Sequence, residues 1–212
     1  SQYRELGLLQ LIYFYGGMTV PNSFVCKQNL KSLFDEGTRW NKPFVCESVN
    51  HNTYLLKNGN SKCFSPDTTF IGAHKDDTTM LELIEYLKNR NHNTHISNEN
   101  EFMKDTALWC SNAIQNERMN IIDGGLIGVK NANGKAVLLE NLMEEAYIPF
   151  HDNCYGIHIP ADEILKRQKY QWFAVLSSEA VLNTTSIISK HLLSAVSDKQ
   201  DMYTKDTEKR SV

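Results

Sequence analysis

The chain is predicted to fold as a single α/β domain, a mixed sheet flanked by helices. Three observations lead there. Four stretches place apolar residues at the 3–4 spacing of an amphipathic helix. Between them lie short runs of β-branched and aromatic residues bounded by Asn and Gly. The 212 residues are 41% hydrophobic and 22% charged, an ordinary globular balance at a length one domain accommodates.

The elements follow in chain order. Leu6, Leu9, Ile12 and Tyr13 share one face of a first helix. Residues 43–49, 53–56 and 62–65 read as strands, with Asn58-Gly59 as a tight turn because both residues tolerate positive φ. Met80, Leu83, Ile84 and Leu87 line a second helix, for which Thr79 and Glu82 have the spacing of a capping box. The clusters Asn91-His92-Asn93 and Asn98-Glu99-Asn100 read as loops. Residues 119–122 form an apolar strand ending at Asp123-Gly124-Gly125, and residues 126–129 are expected to continue extended. Leu138, Leu139, Leu142, Met143 and Ala146 mark a third helix. A strand over 155–159 precedes a short helix starting at Ala161, behind Pro160. Residues 170–176 read as a last strand. Ile187, Ile188, His191, Leu192, Ala195 and Val196 form the fourth helix, capped by Thr184 or Thr185. The domain is expected to span 1–196, with 197–212 a polar, disordered tail.

A net charge of −3, with no dense Lys/Arg face, argues against nucleic acid as a partner. Five cysteines (Cys26, Cys46, Cys63, Cys110 and Cys154) are odd in number, scattered and without a Cys-x-x-Cys pair. They read as reduced thiols and point to a reducing compartment, the cytoplasm or a host cytosol. The longest apolar run, over residues 6–15, is too short to span a bilayer. No metal or cofactor motif is present.

The most pointed feature is Asp123 at the exit of a buried strand, with Gly124 and Gly125 behind it. An acidic group there can orient or deprotonate a nucleophile, and the glycines let backbone approach closely. The plain alternative is a strand end whose Asp accepts turn amides. Asp123-Gly124-Gly125-Leu126 resembles the Asp-Gly-Gly signature of the patatin-like lipid acyl hydrolases. Upstream, residues 30–34, Lys42-Pro43-Phe44-Val45, residues 62–69 and Ala107-Leu108-Trp109 are loosely similar in order. The resemblance implies ester hydrolysis of a lipid, Asp123 as half of a Ser-Asp dyad, and Gly124 and Gly125 framing the substrate. Gly-x-Ser-x-Gly, which presents that family's nucleophile, does not occur in this chain. The expectation is therefore a truncated or degenerate hydrolase module.

Two alternatives stand beside it. His51-Asn52-Thr53 and His92-Asn93-Thr94 resemble the paired His-x-Thr elements of the two-histidine phosphoesterases, which implies acid–base work at a phosphate. A non-catalytic interaction domain, such as a pathogen effector or viral protein, is suggested by Tyr13-Phe14-Tyr15 and Tyr170-Gln171-Trp172-Phe173. Its partner would be a host protein. His151-Asp152-Asn153-Cys154 with His158 has the residue types of a nucleophile set but reads better as a hydrogen-bonded turn plus a strand histidine, set opposite Ile157 and Ile159.

Overall fold

The computed structural model describes residues 2–49, 64–93 and 99–197. Its strands are β1 (Gly17–Met18), β2 (Phe24–Cys26), β3 (Phe44–Val49), β4 (Phe64–Ala73), β5 (Asn120–Ile122) and β6 (Gly156–His158). The helices are α1 (Gln2–Tyr15), α2 (Lys31–Gly37), α3 (Thr78–Asn93), α4 (Glu99–Gln115), α5 (Leu139–Met143), α6 (Ala161–Lys166), α7 (Gln171–Ala174), α8 (Ser178–Leu182) and α9, over residues 187–197. A four-stranded sheet has the order β1-β4-β3-β5, and β2 with β6 makes a separate ribbon. The β3–β5 pair is parallel and the others are antiparallel. This is the mixed α/β architecture expected.

Alternation along β3 explains how both faces of the sheet are covered. Val45 joins a core with Leu9 and Ile12 of α1, Met80, Leu83, Ile84 and Leu87 of α3, and Phe102 and Cys110 of α4. Its neighbours Phe44 and Cys46 point the other way, into a core with Leu33, Phe70, Ile122, Ile127 and Val129. A third cluster packs Val25 and Ile157 of the ribbon against Leu142, Ile164, Phe173 and Ile188. The turn from α1 into β1 requires glycine: Gly16 has φ +71°, and a Cβ there would sit 3.0 Å from the Lys75 amide nitrogen.

Several local expectations change. Residues 98–100 read as a loop, yet α4 begins at Glu99. Its buried stripe is Phe102, Thr106, Cys110 and Ala113; this is helical spacing, but carried by small or polar side chains that a hydrophobicity pattern underweights. Likewise α3 runs on to Asn93, through residues expected to loop. Its cap is Asp77, whose Oδ1 accepts the Met80 amide at 2.8 Å, in place of Thr79. Residues 170–176 are not a strand: Tyr170 and Phe173, three apart, are buried from a helical turn and α7. The third helix is shorter than its stripe and stops at Met143. Ser186 caps α9 by accepting the Ser189 amide, displacing Thr184 and Thr185. Residues 53–56, the Asn58-Gly59 turn and the tail from 198 lie outside the described residues.

Helix α9 also carries a pH-sensitive contact. His191 meets Phe150 edge-on at 5.4 Å, and burial, aided by the Lys27 charge, pushes its imidazole down to about 4. An unfolded histidine titrates near 6.5, so the unfolded chain takes up the proton first. Stability from this site is complete above roughly pH 6.5 and declines as pH falls towards 4. The His191 ring resonances are expected to titrate near 4, and His191→Leu should flatten the loss of urea midpoint between pH 6.5 and 4.5.

Candidate functional site

Strand β5 ends at Ile122, opposite Cys46 of β3, while β3 runs on to Val49, so Asp123 leaves the sheet beside Glu47. Asp123 then turns the chain. Its Oδ1 accepts the Gly125 amide at 2.7 Å and caps a 3-10 turn over Gly124–Ile127. Residues 126–129 therefore do not continue extended. Gly128, at φ +73°, closes the turn, with no room for a Cβ: one would lie 2.8 Å from the Ile157 Cα. The reversal brings Lys130 back over the end of β5 and Glu47 of β3. Its Nζ lies 2.6 Å from Glu47 Oε2 and 2.9 Å from Asp123 Oδ2, above the Phe64 ring at 4.5 Å.

Electrostatics make this cluster a set of fixed charges. Burial pushes the Asp123 carboxyl up, but the Lys130 hydrogen bond and the Gly125 amide outweigh it and hold it below the usual carboxylate range. Burial pushes Lys130 down, and Glu47 and Asp123 more than reverse that. A base poised for catalysis near neutral pH has the opposite character. Both Asp123 oxygens have partners, and among the described residues no serine hydroxyl or cysteine thiol hydrogen-bonds to it. The Gly124 and Gly125 amides are themselves engaged, by Glu47 Oε2 at 2.7 Å and by Asp123. Their missing side chains make room for neighbours: a Cβ on Gly124 would meet Val129 at 2.5 Å, and one on Gly125 would meet His151 at 2.5 Å.

The remaining sequence candidates scatter. His51, Thr53 and Thr94 lie outside the described residues, as does the His92 side chain, although its backbone is helical. The Cys154 thiol donates to the Gly156 carbonyl at 2.8 Å and is raised by burial, so it is a poor nucleophile. Tyr13 packs on the first core while Phe14 and Tyr15 are exposed, and Tyr170 and Phe173 are buried while Trp172 is half exposed. Cys46 and Cys110 are buried and Cys26 is exposed. Among the described residues no helix is long and apolar enough to cross a membrane, and no group of three or more His, Cys, Asp and Glu could hold a metal ion.

A pair that sequence reasoning did not join lies elsewhere. On β3, Val45 pairs with Ile71 but its neighbour Cys46 pairs with Asp67, so residues 68–70 are extra on β4. Bulges re-aim side chains, and this one folds over Asp67: Thr69 donates its amide (2.9 Å) and hydroxyl (2.6 Å) to Oδ1. The ribbon supplies the other half. Phe24 pairs with His158 across it and meets Phe70 of the bulge edge-on at 5.2 Å, which pins the ribbon to the sheet. His158 Nδ1 thereby comes to 3.3 Å from Asp67 Oδ2. That oxygen is buried and makes no well-formed hydrogen bond among the described residues.

Asp67 is 7% exposed. Burial pushes its carboxyl up, but His158 and the Thr69 donors win and leave it below the ordinary value. An ionised Asp67 facing Nδ1 favours the tautomer with its proton on Nδ1 and the lone pair on Nε2. Both residues line a cleft of about 860 Å³, walled by Arg4, Thr19, Asn22, Thr69, Asp162 and Lys166 among others. Its size falls within the roughly 300–1,000 Å³ typical of small-molecule sites. His158 was readable as a strand histidine opposite two buried isoleucines. Its partner was not, because only the bulge brings Asp67 to it. Comparison of the chain with protein families, curated proteins and solved structures gives no match.

Proposed function

We propose that the chain is an acid–base enzyme that activates a hydroxyl in the Asp67–His158 cleft. The observation that carries this reading is a nearly buried carboxylate paired to the Nδ1 side of a cleft-lining imidazole. In this role His158 Nε2 takes the proton of a water or acceptor hydroxyl as its oxygen attacks an electrophilic carbon or phosphorus. The imidazolium then returns that proton to the leaving group, and Asp67 offsets the transient positive charge. Ester hydrolysis, the reaction implied by the Asp-Gly-Gly resemblance, belongs to this class, with His158 rather than Asp123 as base. In this reading the Glu47–Lys130–Asp123 cluster is structural. It ties the end of β5 and the neighbouring Glu47 of β3 to the loop that carries Lys130.

The test is turnover of 4-nitrophenyl acetate, phosphate and glycosides, followed as a function of pH. One bond class should be cleaved, at a rate with the rising pH limb that a general base requires. A rate whose pH limb survives in His158→Ala, or a cleft that turns over none of the three classes, would overturn the assignment.

A further inference from the structure

On the other side of β2–β6 lies a groove of about 470 Å³, walled by Val25, Ile164, Phe173, Ile188, Leu192 and Ala195. Asn22, Ser23, Ile159 and Ala161, at the end of the ribbon, line both cavities. Alternation of side chains across the ribbon accounts for the contrast in their chemistry. His158 faces Asp67, whereas Ile157 and Ile159 on either side of it belong to the apolar cluster. One ribbon thus presents an ionisable dyad to a cleft of mixed lining, with several charged side chains, and an aliphatic wall to the groove.

We infer that the substrate is an amphiphile, its polar end in the cleft at His158 and its aliphatic chain in this groove. The polar half of the assignment rests on the acid–base reading above; the groove half does not. A wholly polar substrate would leave the aliphatic wall beside its reacting group unused. A wholly apolar one would have to desolvate the charged side chains of Arg4, Asp162 and Lys166 that line the cleft. The residues shared at the ribbon end place the two cavities side by side, which suits one molecule with both characters. Cys26 lines the same groove and has an exposed thiol, so occupancy can be read without any activity.

The test uses n-alkyl maltosides with six-, eight- and ten-carbon chains, below their critical micelle concentrations, with maltose as the head alone. Each added methylene buried should lower the dissociation constant about 3- to 4-fold. The longer members should slow alkylation of Cys26 by iodoacetamide, mapped by mass spectrometry. Ala195→Phe, on the rim of the groove, should flatten the series, and Val196→Trp provides a second obstruction if the first variant folds poorly. Affinity independent of chain length, or a chain-length trend untouched by both variants, would overturn the inference. So would a concentration-dependent dimer in which a second copy, rather than ligand, protects Cys26. Failure of the two readings is separable. His158→Ala should keep the chain-length trend, so a trend without His158-dependent turnover leaves the groove standing alone. Turnover of short substrates without a trend leaves only the cleft.

Discussion

His158→Ala should lower turnover of the responsive substrate by roughly 10²–10⁴-fold, the usual contribution of a positioned general base, and should erase the rising limb of the pH profile. Asp67→Asn should cost less. Asp67 is a positioning residue: it acts through His158, and an asparagine keeps an acceptor for the two Thr69 donors that now hold Oδ1. Its loss removes the negative charge that faces Nδ1. The limb should shift to the acid side while KM stays near that of the wild type. A merely structural Asp67 would change the unfolding midpoint and leave the limb where it was. Folding gives an independent check. The Asp67 carboxyl is held below its unfolded value, so its contribution is present above the unfolded pKa of about 3.9 and is lost as pH falls through the folded one. Asp67→Asn should therefore show a shallower loss of stability below about pH 4, outside the window of His191.

The parts of this fold that a sequence reveals are those with large, periodic side chains. Met80, Leu83, Ile84 and Leu87 announce α3 because all four are buried and all four are bulky. Helix α4 is as long and as well buried, but Thr106, Cys110 and Ala113 carry its stripe, and their spacing is invisible to a reader looking for Leu and Ile. Residues 170–176 show the converse: a short aromatic run has no period long enough to separate strand from helix. The strand end at Asp123 was legible, because an apolar run stopped by Asp-Gly-Gly has few other outcomes. The environment of Asp123 was not, since Glu47 and Lys130 reach it only through a parallel strand pairing and a glycine-dependent reversal. Asp67 and His158 were the least legible of all. Their juxtaposition depends on an irregularity in β4 and on the docking of a second ribbon through Phe24 and Phe70. Neither feature leaves a local pattern.

Lys130→Met should be the most destabilising single change at the charged cluster, and the reason lies in what it leaves behind. Lys130 and Glu47 are 14% and 18% exposed in their side chains, whereas Asp123 is 60% exposed. Methionine can keep the aliphatic path over Phe64 but supplies no charge, so Glu47 would face Asp123 with only the Gly124 amide to stabilise it. Breaking a fully buried pair costs about 3–5 kcal/mol; with residual solvent at Glu47 a loss of about 2–3 kcal/mol is expected. Acid should repair it. Acid removes the uncompensated negative charge, so the deficit should shrink as pH falls. Glu47→Gln combined with Lys130→Met removes both charges and keeps an acceptor for the Gly124 amide. The double variant should unfold at a higher urea concentration than Lys130→Met alone, giving a coupling of the kind a double-mutant cycle isolates. Equal midpoints for wild type and Lys130→Met at neutral pH would show that the end of β5 is held against β3 by packing alone. A deficit that deepened in acid would place the cost somewhere other than the stranded Glu47 carboxylate.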